Sequence, residues 1–237
     1  TGIGSGVVLG YDLQAAAKVV KAENERVATL IGINNAARTT TVKPSGTSSL
    51  VLGTSSGIHA WHNDFYIRRM RVGKNEAIYT YLQIHHPELL EDEYFRPHDT
   101  AVINIPQRAP VGAILRTESA IDLLERVKKV YLEWIKPGHR SGGNTHNVSA
   151  TISLKSDEWD QVGEWMWENR NNYCGLSVIP FNESTYRQMP FEECTAQQYD
   201  QMYKRVHNID LSGVVEIDDK TDLKESAACA GGQCEVH

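Results

Sequence analysis

Short strand-like runs alternate with longer helical patterns along this chain, and this alternation constrains the fold more than any other feature. Helical patterns lie near residues 13–31, 75–85, 118–134, 157–171 and 195–207, and strand-like runs near 39–43, 100–105, 148–154 and 176–179. Strands that alternate with helices of this length usually form crossover units whose strands are parallel. The sequence therefore predicts an α/β fold with a mainly parallel sheet or barrel.

The first helix has clear end signals. Asp12 is a good N-cap residue and Gly32 a good residue to end a helix, so we predict a helix over 13–31. Apolar residues recur along one side of it, and we expect this side to pack against the core. They are Leu13, Ala16, Ala17, Val20, Val27, Leu30 and Ile31.

Composition excludes some classes of function. The 237 residues carry a net charge of −6 and no basic block, which argues against direct nucleic-acid binding. The nearest approach to a basic block is Arg68, Arg69 and Arg71, which we expect to pair with carboxylates of their own fold. No apolar stretch approaches membrane-spanning length, so we expect no membrane insertion and a cytoplasmic location.

A proline followed by small hydroxyl residues forms the most unusual interior stretch. Ser45, Gly46, Thr47 and Ser48 follow Pro44, and we name residues 44–57 the hydroxyl loop. Glycine lets backbone N–H groups approach a ligand, the hydroxyls add donors, and a helix that starts there presents unpaired N–H groups to an oxyanion. The lysine of a Walker loop is missing, which disfavours a P-loop nucleotidase. Phosphate binding and a plain turn with an N-cap are both open interpretations.

The last residues of the chain contain a cysteine pair, Cys229 and Cys234, separated by a stretch that includes two glycines. From about residue 211 the chain is acidic and rich in small residues, which is typical of a solvated tether. Three interpretations are open for the pair: a dithiol that cycles through a disulfide, two inert cysteines, or a metal site completed by His237. The metal interpretation lacks a second Cys or His pair nearby.

Other residues that attract interest have simpler interpretations. Trp159, Trp165 and Trp167 lie near helical spacing, which favours core packing or a contact between two elements over a stacking platform. Cys174 and Cys194 lie in a separate stretch, and we expect both to be structural.

Two motifs resemble those of one family. Residues 41–50, Thr-Val-Lys-Pro-Ser-Gly-Thr-Ser-Ser-Leu, and residues 53–59, Gly-Thr-Ser-Ser-Gly-Ile-His, resemble the substrate-phosphate loop of ribonucleotide reductase large chains. The resemblance is strongest to the adenosylcobalamin-dependent class (class II). Cys229 and Cys234, with four residues between them, resemble the redox tail of the same family. Because two unrelated motifs stand in the family's order, the chain resembles the C-terminal part of the large catalytic chain.

This resemblance implies a fold and roles for the site residues. Residues 1–210 would form the C-terminal part of a ten-stranded α/β barrel, and residues 211–237 a flexible tail. Ser45 to Ser48 would hold the substrate's phosphates. Cys229 and Cys234 would re-reduce the active site after each turnover and would in turn be reduced by thioredoxin or a similar dithiol reductant.

The resemblance also implies an activity: radical reduction of ribonucleoside di- or triphosphates to 2′-deoxyribonucleotides, with adenosylcobalamin bound by the complete enzyme. The family's radical cysteine lies in an Asn-Pro-Cys-Gly-Glu-like segment that this sequence does not contain. The chain would therefore need the N-terminal remainder of the reductase, in the same polypeptide or as a split partner. One alternative is a non-enzymatic phosphate-binding or thiol redox carrier domain. Another is a reductase with a separate radical-generating subunit, which the absence of a Tyr-Tyr dipeptide disfavours.

Overall fold

The computed structural model describes residues 1–181, 186–206 and 209–217, which contain both helices and strands. The α-helices are α1 (Leu13–Ile31), α2 (Gly46–Val51), α3 (Ala77–His85), α4 (Ala120–Val130), α5 (Lys136–Gly138), α6 (Trp159–Glu168) and α7 (Ala196–Val206). The strands are β1 (Phe65–Gly73), β2 (Leu90–Asp92), β3 (Thr100–Arg108), β4 (Thr151–Leu154), β5 (Ser177–Pro180) and β6 (Phe191–Glu193). One compact unit contains residues 1–61 and 111–181, and a second contains the remaining described residues.

Helix α1 has the predicted ends. The Asp12 carboxylate accepts a hydrogen bond from the Ala15 N–H at 2.9 Å, and Gly32 ends the helix with φ 73°. The predicted packing side was wrong in its second half, because Leu30 is 73% exposed. At ~3.6 residues per turn, Leu30 lies on the opposite side of the helix from the buried Ala17.

Strands β4 and β5 are parallel and are connected through α6, as the alternating pattern predicts for this part of the chain. The core of the first unit surrounds them with buried apolar side chains. These include Ile58, Leu124, Val127, Val148, Ile152, Leu154 and Val162. A parallel pair covered by helices is the arrangement expected of a βαβ unit.

The strand predicted over 39–43 is replaced by two isolated bridges, Arg38↔His139 and Val42↔Val148. The end of a helix holds this segment instead. The Thr39 N–H donates to the Gly138 carbonyl at 3.0 Å, and the Thr40 hydroxyl donates to the Trp134 carbonyl at 2.7 Å. Carbonyl groups at a helix end have no partner within the helix, so they accept these donors in place of a neighbouring strand.

The sheet of the second unit is antiparallel, with the strand order β2-β3-β1-β6. The expectation of a mainly parallel sheet was therefore wrong for this unit. Its longest strand pair joins β1 to β3, in register from Phe65↔Arg108 to Gly73↔Thr100. Helix α7 presents two stacked rings, Tyr199 and Tyr203, with centroids 5.5 Å apart.

The arginines of β1 differ in their partners. Arg69 pairs with Glu91 and Glu192 at 3.3 and 2.5 Å, and Arg71 pairs with Glu93 at 3.3 Å, as expected. Arg68 instead lies over the ring of Phe191, 4.4 Å from its centroid, and its Nε and Nη1 atoms are buried without a hydrogen-bond partner. The prediction that these arginines pair with carboxylates is thus confirmed for two of the three.

Core packing was predicted for three tryptophans, and it holds for Trp165, which is buried. Its indole N–H donates to Glu125 at 2.6 Å. Trp159 and Trp167 are exposed, so the prediction was wrong for them. Helical spacing shows which residues share a side of a helix, but only tertiary contacts decide which side is covered.

Candidate functional site

The hydroxyl loop contains a sharp turn followed by a short helix. Ser45 has φ 43°, a left-handed conformation that is uncommon outside glycine, and α2 begins at the next residue, Gly46. The Ser49 N–H donates to the Ser45 carbonyl at 2.9 Å. By the geometry of an α-helix, the N–H groups that precede it lack acceptors within the helix. The structure thus places the four predicted phosphate-binding residues together at the start of α2.

A second segment lies against this loop, and we name residues 1–6 the glycine segment. The Gly2 N–H donates to the Ser55 carbonyl at 3.1 Å, and the Ile3 N–H donates to the Gly57 carbonyl at 2.8 Å. The Thr1 hydroxyl donates to the Ser55 carbonyl at 3.2 Å and accepts the Gly57 N–H at 3.1 Å. Sequence reasoning missed this contact, because a glycine run by itself indicates only a turn.

Close approach explains two of the glycines. A Cβ on Gly57, whose φ is 59°, would lie 2.9 Å from the Pro44 Cα. A Cβ on Gly4 would lie 2.0 Å from the His59 carbonyl oxygen. Only glycine fits at either position, but a glycine in the sequence does not identify the segment whose backbone it approaches.

Most hydroxyls in these two segments are already engaged. The Ser5 hydroxyl accepts the Ser55 N–H at 3.1 Å and the Trp61 indole N–H at 3.0 Å. The Ser56 hydroxyl donates to the Pro44 carbonyl at 2.7 Å. These bonds fix the loop's shape before any ligand binds, which reduces the ordering cost of binding.

The four predicted residues differ in what they can offer a ligand. The Ser45 hydroxyl lies 2.6 Å from the Thr1 hydroxyl, to which it donates. Ser48 is exposed, as is Lys43, which lies just before the loop. The Ser55 hydroxyl is buried and has no hydrogen-bond partner. The start of α2 therefore offers backbone N–H groups, hydroxyls and a nearby cation, a donor set that suits a phosphate.

A buried ion pair stabilises the backbone that follows the hydroxyl loop. Arg126 of α4 binds both carboxylate oxygens of Glu118, at 2.6 and 2.7 Å, and its Nε donates to the Ile58 carbonyl at 3.1 Å. The side chains of Arg126 and Glu118 are 6% and 13% exposed. This pair fixes the backbone directly after the hydroxyl loop.

The predicted tail residues Cys229, Cys234 and His237 lie outside the described residues, so their role stays a prediction. Cys174 is exposed, with its Sγ 3.2 Å from the Thr145 hydroxyl, so burial does not support a structural role for it. Cys194 is partly buried, and burial raises the pKa of its thiol. Within residues 1–181, 186–206 and 209–217 no group of three His, Cys, Asp or Glu side chains is placed to hold a metal ion. No helix in the same ranges is long and apolar enough to span a bilayer.

Comparison with known proteins gives relatives of one kind. The chain is 25% identical over 217 residues to the adenosylcobalamin-dependent ribonucleoside-triphosphate reductase of Lacticaseibacillus paracasei. It is 26% identical over 208 residues to the enzyme of the same name from Euglena gracilis. The chain is similar to the adenosylcobalamin-dependent ribonucleotide reductases. The resemblance inferred from the two motifs is thereby confirmed, although no protein-family model matches the chain.

The extent of the similarity is also informative. The two alignments cover 87% and 85% of this chain but 27% of each relative, so the chain spans about a quarter of the length of these curated relatives. The crystal structure of a B12-dependent (class II) ribonucleotide reductase matches with a TM-score of 0.71 and 20% identity, over 85% of this chain and 27% of that one. The mixed helix and strand fold is therefore similar to part of a class II reductase, and the ten-stranded barrel stays a prediction.

Proposed function

We propose that this chain supplies the substrate-phosphate loop and the redox tail of a class II reductase, which converts ribonucleoside triphosphates to 2′-deoxyribonucleotides by a radical mechanism. The observation that carries the proposal is the similarity, over more than four-fifths of the chain, to reductases named for triphosphate substrates and adenosylcobalamin. The start of α2 supports it, because this helix begins within the motif that resembles the family's phosphate loop.

The hydroxyl loop binds and orients the substrate in this proposal. N–H groups at the start of α2 and the exposed Ser48 hydroxyl donate to phosphate oxygens, and Lys43 adds a positive charge nearby. The bonds between the hydroxyl loop and the glycine segment hold these donors in place. A firmly held phosphate fixes the position of the ribose, which is how remote binding energy serves a reaction elsewhere on the substrate.

The tail returns electrons to the active site. Replacement of the substrate's 2′-hydroxyl by hydrogen releases water and consumes two electrons. An active-site cysteine pair supplies these electrons and is oxidised to a disulfide. The thiols of Cys229 and Cys234 give two electrons and two protons to that disulfide and become a disulfide themselves. Thioredoxin or a similar dithiol then reduces the tail.

Adenosylcobalamin, when bound by the complete enzyme, supplies the radical chemistry. The segment that carries the family's radical cysteine is not in this sequence, so we assign that cysteine to the N-terminal remainder of the reductase. The intact mass of the native polypeptide tells whether that remainder is in the same chain or is a split partner.

The test of the loop is the affinity of the complete reductase for a ribonucleoside triphosphate. Ser48→Ala should weaken binding by about 1–3 kcal/mol, the value of a charge-assisted hydrogen bond. Ser45→Ala should also weaken binding, because it removes the hydrogen bond to Thr1 that holds the start of α2 in place. Thr29→Ala is the control, because this exposed hydroxyl bonds to the Glu25 carbonyl within α1. Unchanged affinity in both loop variants would leave the loop as a plain turn.

The relatives' names bear on the alternatives. Dependence on adenosylcobalamin among the relatives supports this class over one with a separate radical-generating subunit. A non-enzymatic thiol or phosphate carrier predicts that the complete polypeptide binds phosphate or exchanges thiols without forming any deoxynucleotide.

A further inference from the structure

His59 connects the hydroxyl loop to a strand of the first unit. Its Nδ1 lies 3.0 Å from the Ser56 carbonyl oxygen, and its Nε2 accepts the N–H of Thr151, the first residue of β4, at 3.0 Å. A carbonyl can only accept and an amide N–H can only donate. The imidazole therefore carries its proton on Nδ1 and is neutral in this arrangement.

The connection extends to the start of α2. The Ser56 hydroxyl donates to the Pro44 carbonyl at 2.7 Å, and Pro44 precedes the left-handed Ser45. A continuous chain of hydrogen bonds and short backbone links thus runs from β4 through His59 and Ser56 to the residue where the helix begins.

Burial favours the neutral ring. Burial is the main cause that lowers the pKa of His59 below its ordinary value, and Arg126 lowers the pKa further. The Ser56 carbonyl and the Glu118 carboxylate act in the opposite direction. Since Glu118 and Arg126 are paired with each other, their opposite effects on the pKa of His59 largely cancel, and burial is the main cause that favours the neutral ring.

We propose that His59 is a positioning residue for phosphate binding: the neutral imidazole holds the hydroxyl loop against β4, through Ser56 and Thr151. The proposal rests on the phosphate role proposed for the loop. A proton added to Nε2 places two donors against each other, because the Thr151 N–H then has no acceptor. We call the two hydrogen bonds of the His59 ring, to Ser56 and Thr151, the His59 clamp. Both bonds are fully present above pH 6.5, the ordinary pKa of imidazole, and the bond to Thr151 is lost as the pH falls through the lowered pKa of His59 in the folded state.

The test compares the pH dependence of triphosphate affinity in the complete reductase, with ATP as the probe. Between pH 7.5 and 5.5 wild-type affinity should fall by a larger factor than the affinity of His59→Ala, and His59 itself should contribute less than about 10-fold because its pKa lies below the ordinary value. His59→Ala should bind at least 10-fold more weakly at pH 7.5, and its affinity should change with pH only as far as ATP itself titrates. The terminal phosphate of ATP loses its second proton at about pH 6. The His59→Ala profile therefore measures how much the titration of ATP contributes to the pH dependence of affinity.

Two further variants separate the halves of the clamp. His59→Gln offers an acceptor near the position of Nε2 and should recover part of the affinity without the additional pH step. His59→Asn offers a donor near Nδ1 only and should recover less. Hydrogen exchange of the peptide that contains Thr151 should accelerate in His59→Ala and Asn, and less in Gln.

The outcomes are distinguishable. A wild-type reductase that does not bind ATP through this loop would overturn the phosphate role and this proposal together. Normal ATP affinity in Ser45→Ala and Ser48→Ala would overturn the phosphate role in the same way. If loop variants weaken binding but His59→Ala keeps the wild-type affinity and pH step, the His59 proposal alone is wrong. If His59→Ala does not fold, His59→Gln must lack the additional pH step, and its retention would overturn the proposal.

Discussion

Removal of the Arg126 guanidinium should destabilise the first unit strongly. Arg126→Met deletes two short hydrogen bonds to Glu118 and one to the Ile58 carbonyl. The Glu118 carboxylate, 13% exposed, is then left without its counter-charge. Breaking a buried ion pair by removing one partner costs about 3–5 kcal/mol, because the remaining charge is still poorly solvated. We expect a loss of this size in the free energy of unfolding.

Urea denaturation followed by tryptophan fluorescence measures this loss. All five tryptophans lie in the first unit, so the signal reports on the part of the chain that contains the ion pair. The control is Arg26→Met, whose partner is Glu23, because these side chains are 63% and 56% exposed. Exposed pairs contribute little, so the control should leave the transition midpoint unchanged.

A double variant tests the physical reason. Arg126→Met combined with Glu118→Leu removes both charges and should recover most of the stability lost in the single variant, since a buried pair can often be replaced by apolar side chains. Equal midpoints for Arg126→Met and Arg26→Met would refute the reasoning. Failure of the double variant to recover would show that the lost bond to Ile58 dominates.

Three other predictions concern the two units and the tail. Gly57→Ala should destabilise the chain more than Gly53→Ala in the same urea assay: both glycines have φ 59°, but only at Gly57 would a Cβ meet backbone atoms. Arg68→Met should cost less stability than Arg69→Met in thermal unfolding followed by circular dichroism, because Arg69 has carboxylate partners and Arg68 has two buried nitrogens without a partner. A larger loss for Arg68→Met would contradict this. Cys229→Ser in the complete enzyme should abolish turnover with thioredoxin but leave a single turnover of prereduced enzyme, and wild-type turnover with thioredoxin would contradict the tail assignment.

Local chemistry made part of the fold predictable. The ends of α1 depend on Asp12 and Gly32, and each acts on backbone groups within four residues of itself. The β4-α6-β5 unit could be predicted from the sequence because its strands are short apolar runs on either side of a helical pattern. In these places the sequence signal and the stabilising contact lie in the same stretch of chain.

Distant contacts explain what the sequence did not reveal. Strand β1 was missed because Arg68, Arg69 and Arg71 interrupt its apolar pattern. The carboxylates that neutralise Arg69 and Arg71 lie 22 residues or more along the chain. The contact of Thr1 with Gly57 joins residues 56 apart. No local pattern could predict either contact.

The candidate site was predictable in its location but not in its internal bonding. The run from Ser45 to Ser48 indicated a helix start, and α2 begins there. The sequence could not show which hydroxyls bond within the protein, since this depends on the glycine segment and on His59. Those contacts decide which donors are left for a ligand.

The decisive measurement is the product formed by the complete polypeptide that carries this chain, supplied with a ribonucleoside triphosphate, thioredoxin with its reductant, and adenosylcobalamin. We predict a 2′-deoxyribonucleoside triphosphate that forms only when adenosylcobalamin is present. The KM for the ribonucleoside triphosphate should be higher in Ser48→Ala than in the wild type. No deoxynucleotide, or the same yield without the cofactor, would contradict it.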